Sequence, residues 1–492
     1  MAEALLSLGL RDAAAAVVSL YFTTFVRTDG SLPECDACAD GGFGDALADY
    51  GEMLEVFHRT ARAQLDFGGA AGAAWCAAHL PAFARLANFT LSLRLNASSS
   101  GAPPGDVTHG LVFGSPEHDT CHEPGYYFHN NVWLLRGLQE AAALLAETGG
   151  NALAPLAAAL AAEVPRFAAD LAASLALSAV PLADGLTWLP PLAAANSTPF
   201  ARMTESTLAS YTSFRYYAEL VSAGVLADAD VERVLAFREA RGGVLLGMTR
   251  FEAHLDNMPA YGYARAALRL MDAPTGPAAK RFWALAYGHA AAYSSRGTFS
   301  ASEQLAIPTD AAGGSLWRDM LWTYLEGGID QCVPSLVLST LATRWALAFE
   351  WRPQPDTLWL ARGAPRRWYA ADGLEVRDLP TSFGTLSFTA STVATNATTQ
   401  QSRFAVSFAP PPFAAPSGAP PILLVLRLRA LEPGAAMVGA ILADLAPPGA
   451  PATLASWDAA TETVSVALAQ PRGAEAALSF VIIATFSSLG WK

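Results

Sequence analysis

The sequence predicts an α-then-β protein, with a closed ring of helical hairpins over residues 1–352 and a small antiparallel β-sandwich over residues 353–492. Two observations predict this order. Up to about residue 350, apolar residues fall in stretches of helical length that are separated by loops rich in Gly, Pro, Asp and Ser. Beyond that point, short β-branched or alternating runs are broken by Pro and Gly. A chain of 492 residues has room for one large and one small domain.

The helical part contains stretches that pair naturally into antiparallel hairpins. Candidate helices lie near residues 4–25, 45–66, 72–95, 126–147, 151–177, 204–222, 229–241, 258–271, 277–293, 314–326 and 334–350. No fixed repeat period is present, which favours a ring over an open solenoid. The long loops carry most of the unusual polar and aromatic residues. We therefore expect a functional site where these loops surround one opening of the ring.

The β part is predicted from runs with period-two alternation. These runs cover residues 384–394, 402–409, 422–429, 463–469 and 477–486. Short strands with turn signals between them are typical of a sandwich. Because this part is poor in chemically active side chains, we expect it to pack against the ring without taking part in catalysis.

Composition excludes several classes of partner. The chain is 52% hydrophobic and carries a net charge of −13. It has no cluster of Lys and Arg, so nucleic acid is not an expected partner. The uncharged apolar stretches 13–26 and 476–491 are shorter than the roughly 18 residues needed to cross a bilayer, so no membrane span is expected. The oligomeric state is left open.

Asparagine usage suggests the secretory route. Four of the eight asparagines lie in N-x-[ST] sequons, namely Asn88, Asn96, Asn196 and Asn396. Such an excess predicts a glycosylated protein of the secretory pathway or the extracellular space, although no signal peptide is visible. The C-x-x-C pair of Cys35 and Cys38 has no second pair to complete a zinc site, and whether these two thiols are bonded stays open.

The first chemically rich segment spans residues 109–133. It contains four of the eight histidines, His109, His118, His122 and His129, among acidic and aromatic residues. Candidate site residues here are Glu117, Asp119, Glu123, Tyr126, Tyr127, His129, Asn130 and Trp133. The segment leads into the helix predicted near Tyr126, so its side chains are expected to converge at one end of the helical body.

The second segment spans residues 249–263. Asn257 suits a helix N-cap and Pro259 a first helical turn, which would place Asp256 just outside a helix N-terminus with a lowered pKa. An ionised carboxylate at a cleft mouth suits a general base, whereas its acid partner needs an apolar wall. Glu252, His254 and Tyr261 are further candidates. The alternative reading is that Asp256 only assists capping.

A third segment, residues 294–304, contains Arg296 and Glu303. Ser300 and Glu303 have the spacing of a capping box, so Glu303 also has a purely structural explanation. Arg296 suits bidentate contact with a carboxylate or a hydroxylated ligand, although an ordinary ion pair fits equally.

Metal and cofactor chemistry is not expected. His118 and His122 are spaced i, i+4, but the nearby Pro116, Pro124 and Gly125 argue against a helix that would bring them onto one face. No Gly-rich phosphate loop, G-x-S-x-G elbow or H-E-x-x-H motif occurs in the chain. We therefore expect neither a bound metal nor a cofactor.

Taken together, these segments resemble the six-hairpin glycosidase superfamily, whose members are (α/α)6 toroids, and in particular members with a small C-terminal β-domain. The residues that carry the resemblance are 114–119, 126–133, 215–217, 251–256, 296–299 and 362–368. The resemblance implies a carbohydrate substrate, a central cleft lined by the ends of inner helices, and a pair of acid/base carboxylates.

On this resemblance, Glu117 or Asp119 donates a proton to the glycosidic oxygen, and Asp256 or Glu252 activates a water molecule. Toroid glycosidases often invert, which requires about 6.5–9.5 Å between the two carboxyl groups. Aromatic residues that could stack on sugar faces are Tyr126, Tyr127, Trp133, Trp188, Tyr261 and Trp317. The expected polar substrate contacts are Glu123, His129, Asn130, His254, Arg296 and Glu303.

Two alternatives remain at this stage. Other toroids are polysaccharide lyases, and Tyr127, His129, Asn130, Asn131 and Arg296 would suit β-elimination on a uronate-containing glycan. An anionic polymer would meet a protein of charge −13, which ranks this activity second. The second alternative is a carbohydrate-binding or scaffold protein that keeps the ring of helices but has no catalytic activity.

Overall fold

We describe the fold from a computed structural model. It describes residues 1–33, 46–100, 102–116, 123–252, 254–272, 276–294, 301–302, 304–306, 332–351, 353–370, 372–396, 398–409, 421–431, 435–446, 452–468 and 478–488. The N-terminal half is helical and the C-terminal half is rich in sheet, which confirms the predicted α-then-β order.

The helices follow the apolar stretches of the sequence closely. They are α1 (Ala2–Ser7), α2 (Arg11–Thr24), α3 (Leu47–Phe67), α4 (Gly69–Ser100), α5 (Phe128–Thr148), α6 (Gly150–Ser178), α7 (Thr207–Tyr211), α8 (Tyr217–Ser222), α9 (Asp228–Ala240), α10 (Ala260–Arg269), α11 (Pro277–Gly288) and α12 (Val333–Leu347). Two π-helical turns, π1 (Thr212–Tyr216) and π2 (His289–Tyr293), interrupt or extend them. The helix predicted near 314–326 lies outside the described residues.

Helix α5 is the central element of the helical half. It packs against α3, α4, α6 and α8, and its apolar side chains such as Phe128, Val132 and Leu138 are buried. The closest approach is to α3, where a Cβ atom on Gly51 would stand 1.9 Å from the Trp133 carbonyl oxygen. A Cβ atom on Gly137 would stand 2.6 Å from the Gly51 Cα atom. Glycine at these two positions therefore lets the helix backbones touch.

Two small sheets lie between the helices of the helical half. One pairs β1 (Val180–Pro181) with β2 (Thr187–Trp188). The other has the strand order β3–β4–β5–β6, from β3 (Val244–Leu245), β4 (Met248–Phe251), β5 (His254–Asp256) and β6 (Gln304–Ala306). Residues 242–257, between the helices predicted near 229–241 and 258–271, form strands of two to four residues, which are too short to give a clear periodic pattern.

The C-terminal half contains two five-stranded sheets. Their strands are β7 (Ala348–Glu350), β8 (Thr357–Leu360), β9 (Leu374–Thr381), β10 (Gly384–Ala394), β11 (Thr399–Ala409), β12 (Ile422–Arg427), β13 (Ala435–Ala446), β14 (Ala452–Asp458), β15 (Thr463–Leu468) and β16 (Leu478–Ser488). The strand orders are β13–β16–β11–β10–β9 and β14–β15–β12–β8–β7. Buried residues of both sheets, including Phe388, Phe404, Leu424 and Val466, form one hydrophobic core.

The predicted strands fall on β10, β11, β12, β15 and β16, and the expectation of a wholly antiparallel arrangement is corrected. Strand β12 runs parallel to β8, with Leu424 opposite Leu358. Strand β8 is only four residues long and follows directly on the helical half. Because register and direction depend on distant pairing, the sequence pattern alone could not specify this parallel neighbour.

Buried arginines connect the two halves. The Arg427 Nη2 atom donates to the carbonyl oxygens of Met271 and Asp272, each at 2.7 Å, and its Nη1 atom donates to the Arg362 carbonyl at 2.8 Å. Arg362 in turn donates to the Leu268 carbonyl. Burial, reinforced by the neighbouring Arg429 and Arg362, lowers the pKa of Arg427 to about 9. Guanidinium groups thus satisfy the carbonyl groups that follow α10.

Among the described helices, α6 is long and apolar enough to cross a membrane by length and composition. One such helix is weak evidence, because core helices of water-soluble proteins meet the same criteria. In this structure α6 packs against α5 through buried side chains that include Leu160, Phe167 and Leu171.

We predict that Gly51→Ala destabilises the fold by about 3 kcal/mol, because the new methyl group must push α3 away from α5. Urea unfolding followed by circular dichroism measures the change. Gly439→Ala in β13 is the matched control, since a Cβ atom there meets nothing within 4 Å. Equal midpoints for the two variants would contradict the proposed close contact.

Candidate functional site

The first two turns of α5 are anchored to the preceding loop by asparagine side chains. The Asn131 Oδ1 atom accepts from the Val112 amide at 2.8 Å, and Asn131 Nδ2 donates to the carbonyls of Val112 and Tyr127. Asn130 Nδ2 donates to the Ser115 carbonyl at 2.9 Å. Gly114 and Gly125 form a β-bridge. Ser115 and Gly125, which are described on either side of 117–122, are therefore held near the N-terminus of α5.

An aromatic cluster joins three segments that are far apart in the sequence. We define it as Tyr127, Tyr211, Phe214 and Tyr216, with Phe251 and Met258 packed against them. The Tyr127 ring lies edge-on to Tyr216 at 5.2 Å, and the Phe251 ring lies edge-on to Tyr211 at 5.2 Å between centroids. The cluster thus connects the loop before α5, the π1 turn and the β4–β5 hairpin.

Three ionisable side chains, His129, Arg215 and Glu219, lie beside this cluster. His129 stacks on Tyr216 with 4.4 Å between ring centroids, and its Nε2 atom is 3.9 Å from Glu219 Oε2. The Arg215 Nε atom donates to Glu219 Oε1. Burial, with a smaller contribution from the Arg215 charge, lowers the pKa of His129 well below its ordinary value. The imidazole is therefore neutral next to an Arg–Glu ion pair.

The charges of Arg215 and Glu219 also act on Tyr261, which lies on the first turn of α10. Burial raises the pKa of its hydroxyl far above the ordinary value, and the charges of Glu52 and Glu219 act in the same direction while Arg215 opposes them. The Tyr261 phenol therefore stays protonated. Its hydroxyl adds a neutral group beside the carboxylates of Glu52 and Glu219.

Three side chains of α5 have unused hydrogen-bonding groups. Within the described part of the chain, neither ring nitrogen of His129 has a hydrogen-bond partner, and neither the Asn130 Oδ1 nor the Trp133 Nε1 atom has one. All three residues are buried. A buried polar group without a partner is costly, so these groups call for a water molecule or a polar ligand.

Asp256 ends β5 and is fully buried, with 0% of its surface exposed. Its Oδ1 atom accepts from the Met258 amide at 3.2 Å, and its Oδ2 atom accepts from Gln304 Nε2 at 3.1 Å. Glu252 lies instead at the exposed tip of the β4–β5 hairpin, with a φ of +50°. Of the two predicted bases, only Asp256 is therefore held in a fixed position inside the protein.

The expected capping role of Asn257 is corrected. Helix α10 begins at Ala260 after Pro259, with no side-chain cap. The Asn257 Oδ1 atom instead accepts from the Thr249 amide at 3.3 Å, and its Nδ2 atom is 2.9 Å from His289 Nδ1. The short strands of the β4–β5 hairpin turn this side chain towards π2.

The π2 turn supports the Asp256 strand from its other side. The Tyr293 hydroxyl accepts from the Asn257 amide at 3.2 Å. Because Asn257 Nδ2 must donate, the His289 Nδ1 atom must accept, which requires a neutral imidazole. Burial lowers the pKa of His289 to about 4. Both π turns of the helical half thus contact residues next to the predicted site, where such turns are frequently found.

The remaining predicted residues differ in exposure. Glu123 is exposed, and its carbonyl accepts from the Tyr127 hydroxyl at 3.1 Å. Tyr126 and His254 are half-buried, whereas the faces of Tyr127, Trp133 and Trp188 are covered by protein. The predicted site residues that lie outside the described residues are Glu117, Asp119, Arg296, Glu303 and Trp317.

Sequence reasoning missed several residues of the buried site. They are Glu52, Tyr211, Arg215, Tyr216 and Glu219, and Phe113 whose exposed ring lies 5.2 Å from Tyr126. The run 215–217 was part of the resemblance, which was a usable signal. Glu219 gave no signal in the sequence, because a single acidic residue among apolar residues has the pattern of a surface position on a helix.

Features at other places bear on modification and metal binding. The four sequon asparagines Asn88, Asn96, Asn196 and Asn396 are all exposed. Cys76 is a buried free thiol and Cys332 is buried, whereas Cys35 and Cys38 lie outside the described residues. No three His, Cys, Asp or Glu side chains group as a metal site in the described ranges.

A cavity of about 90 Å³ between the two halves includes none of the predicted site residues.

Comparisons with known proteins give one remote likeness to report. No family model matches the chain, and no curated protein matches it. A solved structure titled "Glycoside hydrolase" is similar over 97% of this chain and 69% of its own length, with a TM-score of 0.30 and 11% sequence identity.

We predict that the neutral His289 makes folding stability depend on pH. The unfolded chain binds a proton on this imidazole near its ordinary pKa of 6.5, but the folded chain does so only near pH 4. The stabilisation is therefore complete above pH 6.5 and falls by about 3 kcal/mol as the pH drops to 4.

Chemical unfolding of wild type and His289→Gln across this range measures the effect. The glutamine side chain can still accept from Asn257, so the variant should lose less stability on acidification. Above about pH 7 the two pH slopes should coincide, which provides an internal control. Parallel slopes throughout the acidic range would contradict a neutral, accepting imidazole.

Proposed function

We propose that the chain is a carbohydrate-active hydrolase that cleaves a glycosidic bond by carboxylate acid/base catalysis, with inversion at the anomeric carbon. The proposal includes closure of the helical half as an (α/α)6 toroid and packing of the two five-stranded sheets as a sandwich. The substrate is an oligo- or polysaccharide, bound where the aromatic cluster meets the first turns of α5.

The observation that carries the proposal is the set of unused polar groups on His129, Asn130 and Trp133. Imidazole, amide and indole groups together offer donors and acceptors without net charge. Sugar hydroxyls both donate and accept, so a polyhydroxylated ligand satisfies such a set, and adjacent aromatic rings suit the apolar faces of sugars. The neutral state of His129 favours this use over binding of an anion.

Asp256 is proposed as the general base that activates water. Hydrogen bonds from the Met258 amide and from Gln304 fix the orientation of its carboxyl group. Glu117 or Asp119 is proposed as the acid. Support comes from the ends of their segment, which are anchored at Ser115 and at the Gly114–Gly125 bridge beside Tyr127.

Binding of the sugar face is proposed for Phe113 and Tyr126. Phe113 is 56% exposed and lies edge-on to Tyr126, in the loop that carries the candidate acid. An exposed aromatic pair next to buried polar groups is a suitable platform for an outer sugar unit. The exposed sequon asparagines support, in addition, a proposal of passage through the secretory pathway.

We predict that Asp256→Asn lowers kcat by about 100-fold or more, because the base is lost while the shape of the side chain is kept. New reducing ends released from a panel of glycans measure the rate, and NMR of the first product anomer tests inversion. Asp372→Asn, at an exposed position in the C-terminal half, is the matched control and should retain its rate.

The same panel separates the other candidate activities. Products that absorb near 232 nm would identify a lyase in place of a hydrolase. Absence of both product types across the panel, with retained glycan binding, would favour a binding or scaffold protein. A full rate in Asp256→Asn together with a large loss in Glu252→Gln would transfer the role of base to the hairpin tip.

We predict that Phe113→Ala raises KM about fivefold while kcat changes little, because it removes stacking that is equal in ground and transition states. Initial rates over a range of substrate concentrations measure both parameters. Phe25→Ala is the matched control, since Phe25 is also exposed and forms a pair with Tyr21 at 5.4 Å. An unchanged KM would remove Phe113 from the binding surface.

A further inference from the structure

A second cavity is lined by Arg238, whose guanidinium contacts Ser213 of π1. It encloses about 300 Å³ between α9, the β3–β4 hairpin, α10 and α11. Gly247 at the hairpin turn approaches the Ala284 backbone so closely that a Cβ atom would stand 2.2 Å from its carbonyl carbon. This contact closes one side of the cavity against α11. None of the residues proposed for catalysis lines it.

Arg238 is the buried cation of this cavity. Only 4% of its surface is exposed, and its guanidinium lies 3.7 Å above the centre of the Tyr263 ring. Its Nε atom donates to Ser213 Oγ at 3.2 Å and its Nη2 atom donates to Thr249 Oγ1 at 2.8 Å. Both partners are neutral hydroxyls. Within the described residues, Arg238 has no carboxylate partner, and its Nη1 atom makes no hydrogen bond.

The carboxylate nearest to this cation in the cavity lining is Glu239, whose charge acts on Arg238 without a direct ion pair. Glu239 also lines the cavity, but both of its carboxylate oxygens accept from Arg281, at 2.8 and 3.0 Å. Arg281 Nη1 donates to Glu232 as well. Lys280 lines the exposed side, and among described residues no carboxylate pairs with it. Three positive side chains, Arg238, Lys280 and Arg281, and the carboxylate of Glu239 therefore line one cavity in a protein whose net charge is −13.

We propose that this cavity binds a small oxyanion, a carboxylate, sulfate or phosphate group, between Arg238 and Lys280. A buried guanidinium without a directly paired carboxylate is costly to desolvate, and an oxyanion that accepts from Nη1 offsets this cost. The flat fork of Arg238 is pre-oriented by its two hydroxyl partners and by Tyr263, so little side-chain order is lost on binding. Lys280 adds a mobile charge at the entrance.

The position of the site gives it a route to the proposed catalytic centre. Ser213, which accepts from Arg238, lies in π1 two residues before Arg215. Thr249, the second partner, donates its amide to Asn257, next to Asp256. The proposal of an oxyanion site does not depend on the proposed function, because its contacts are complete without a sugar substrate.

Isothermal titration calorimetry with inorganic sulfate, inorganic phosphate and glucuronate, each at constant ionic strength against chloride, tests the proposal. We expect saturable binding of at least one of them with a dissociation constant below about 10 mM. Glucuronate alone would identify an organic acid, and the inorganic ions a free oxyanion. Saturation by none of the three would overturn the proposal.

Variants then assign the binding to this cavity. Lys280→Gln, at an exposed position, should fold normally and weaken binding about tenfold, and Arg238→Gln should abolish it. Arg238→Lys keeps the charge and should restore part of the affinity if Arg238→Gln still folds. Arg377→Gln, on the exposed surface of β9, is the matched control. Unchanged affinity in Lys280→Gln would show an adventitious ion only and would overturn the assignment.

Discussion

The contact between α3 and α5 at Gly51 and Gly137 is the constraint on which the rest of the helical half depends. Helices normally stand about 8–10 Å apart because side chains separate them. Here a Cβ atom on either glycine would overlap the other backbone, so the two axes come closer. Helix α5 can then be covered by α3, α4, α6 and α8 at once. Its first turns are consequently fixed in the interior, where polar side chains must find partners.

The two π turns position the side chains that contact the candidate site. A π turn inserts one extra residue into a helix and shifts the side chains that follow it. In π1 the shift accompanies the stacking of Tyr216 on His129 and the Arg215–Glu219 pair; in π2 it accompanies the contacts of His289 and Tyr293 with Asn257. Such turns are unfavourable in isolation. Stacking of Tyr216 on His129 stabilises π1 here, and hydrogen bonds with Asn257 stabilise π2.

Sequence patterns predicted the regular elements well, because long amphipathic or alternating runs depend on local information. The range 126–147 corresponds to α5, and the range 384–394 coincides with β10. Patterns failed where pairing is short or distant. The parallel β8–β12 pair and the two- to four-residue strands β3, β4 and β5 depend on tertiary contacts.

The same distinction applies to the candidate site. Asp256 and His129 stood out because polar residues were dense around them in the sequence. Glu219 did not, since it occurs singly among apolar residues, and Arg215 entered only with the run 215–217 of the resemblance. The π1 turn brings both beside His129. A side chain whose importance comes from a helix irregularity has no periodic signature, so no reading of spacing would have found it.

The charge arrangement decides which ligands the aromatic cluster can accept. Arg215 and Glu219 neutralise each other, His129 is neutral because of burial and the nearby guanidinium, and the Tyr261 phenol keeps its proton. A ligand there meets dipoles and no net positive charge, which suits hydroxyl groups and disfavours carboxylates. Arg238, by contrast, is a buried cation without a directly paired carboxylate, and it donates to the Ser213 hydroxyl in π1. The aromatic cluster and the Arg238 cavity therefore offer environments of different charge, and each is complementary to different chemical groups.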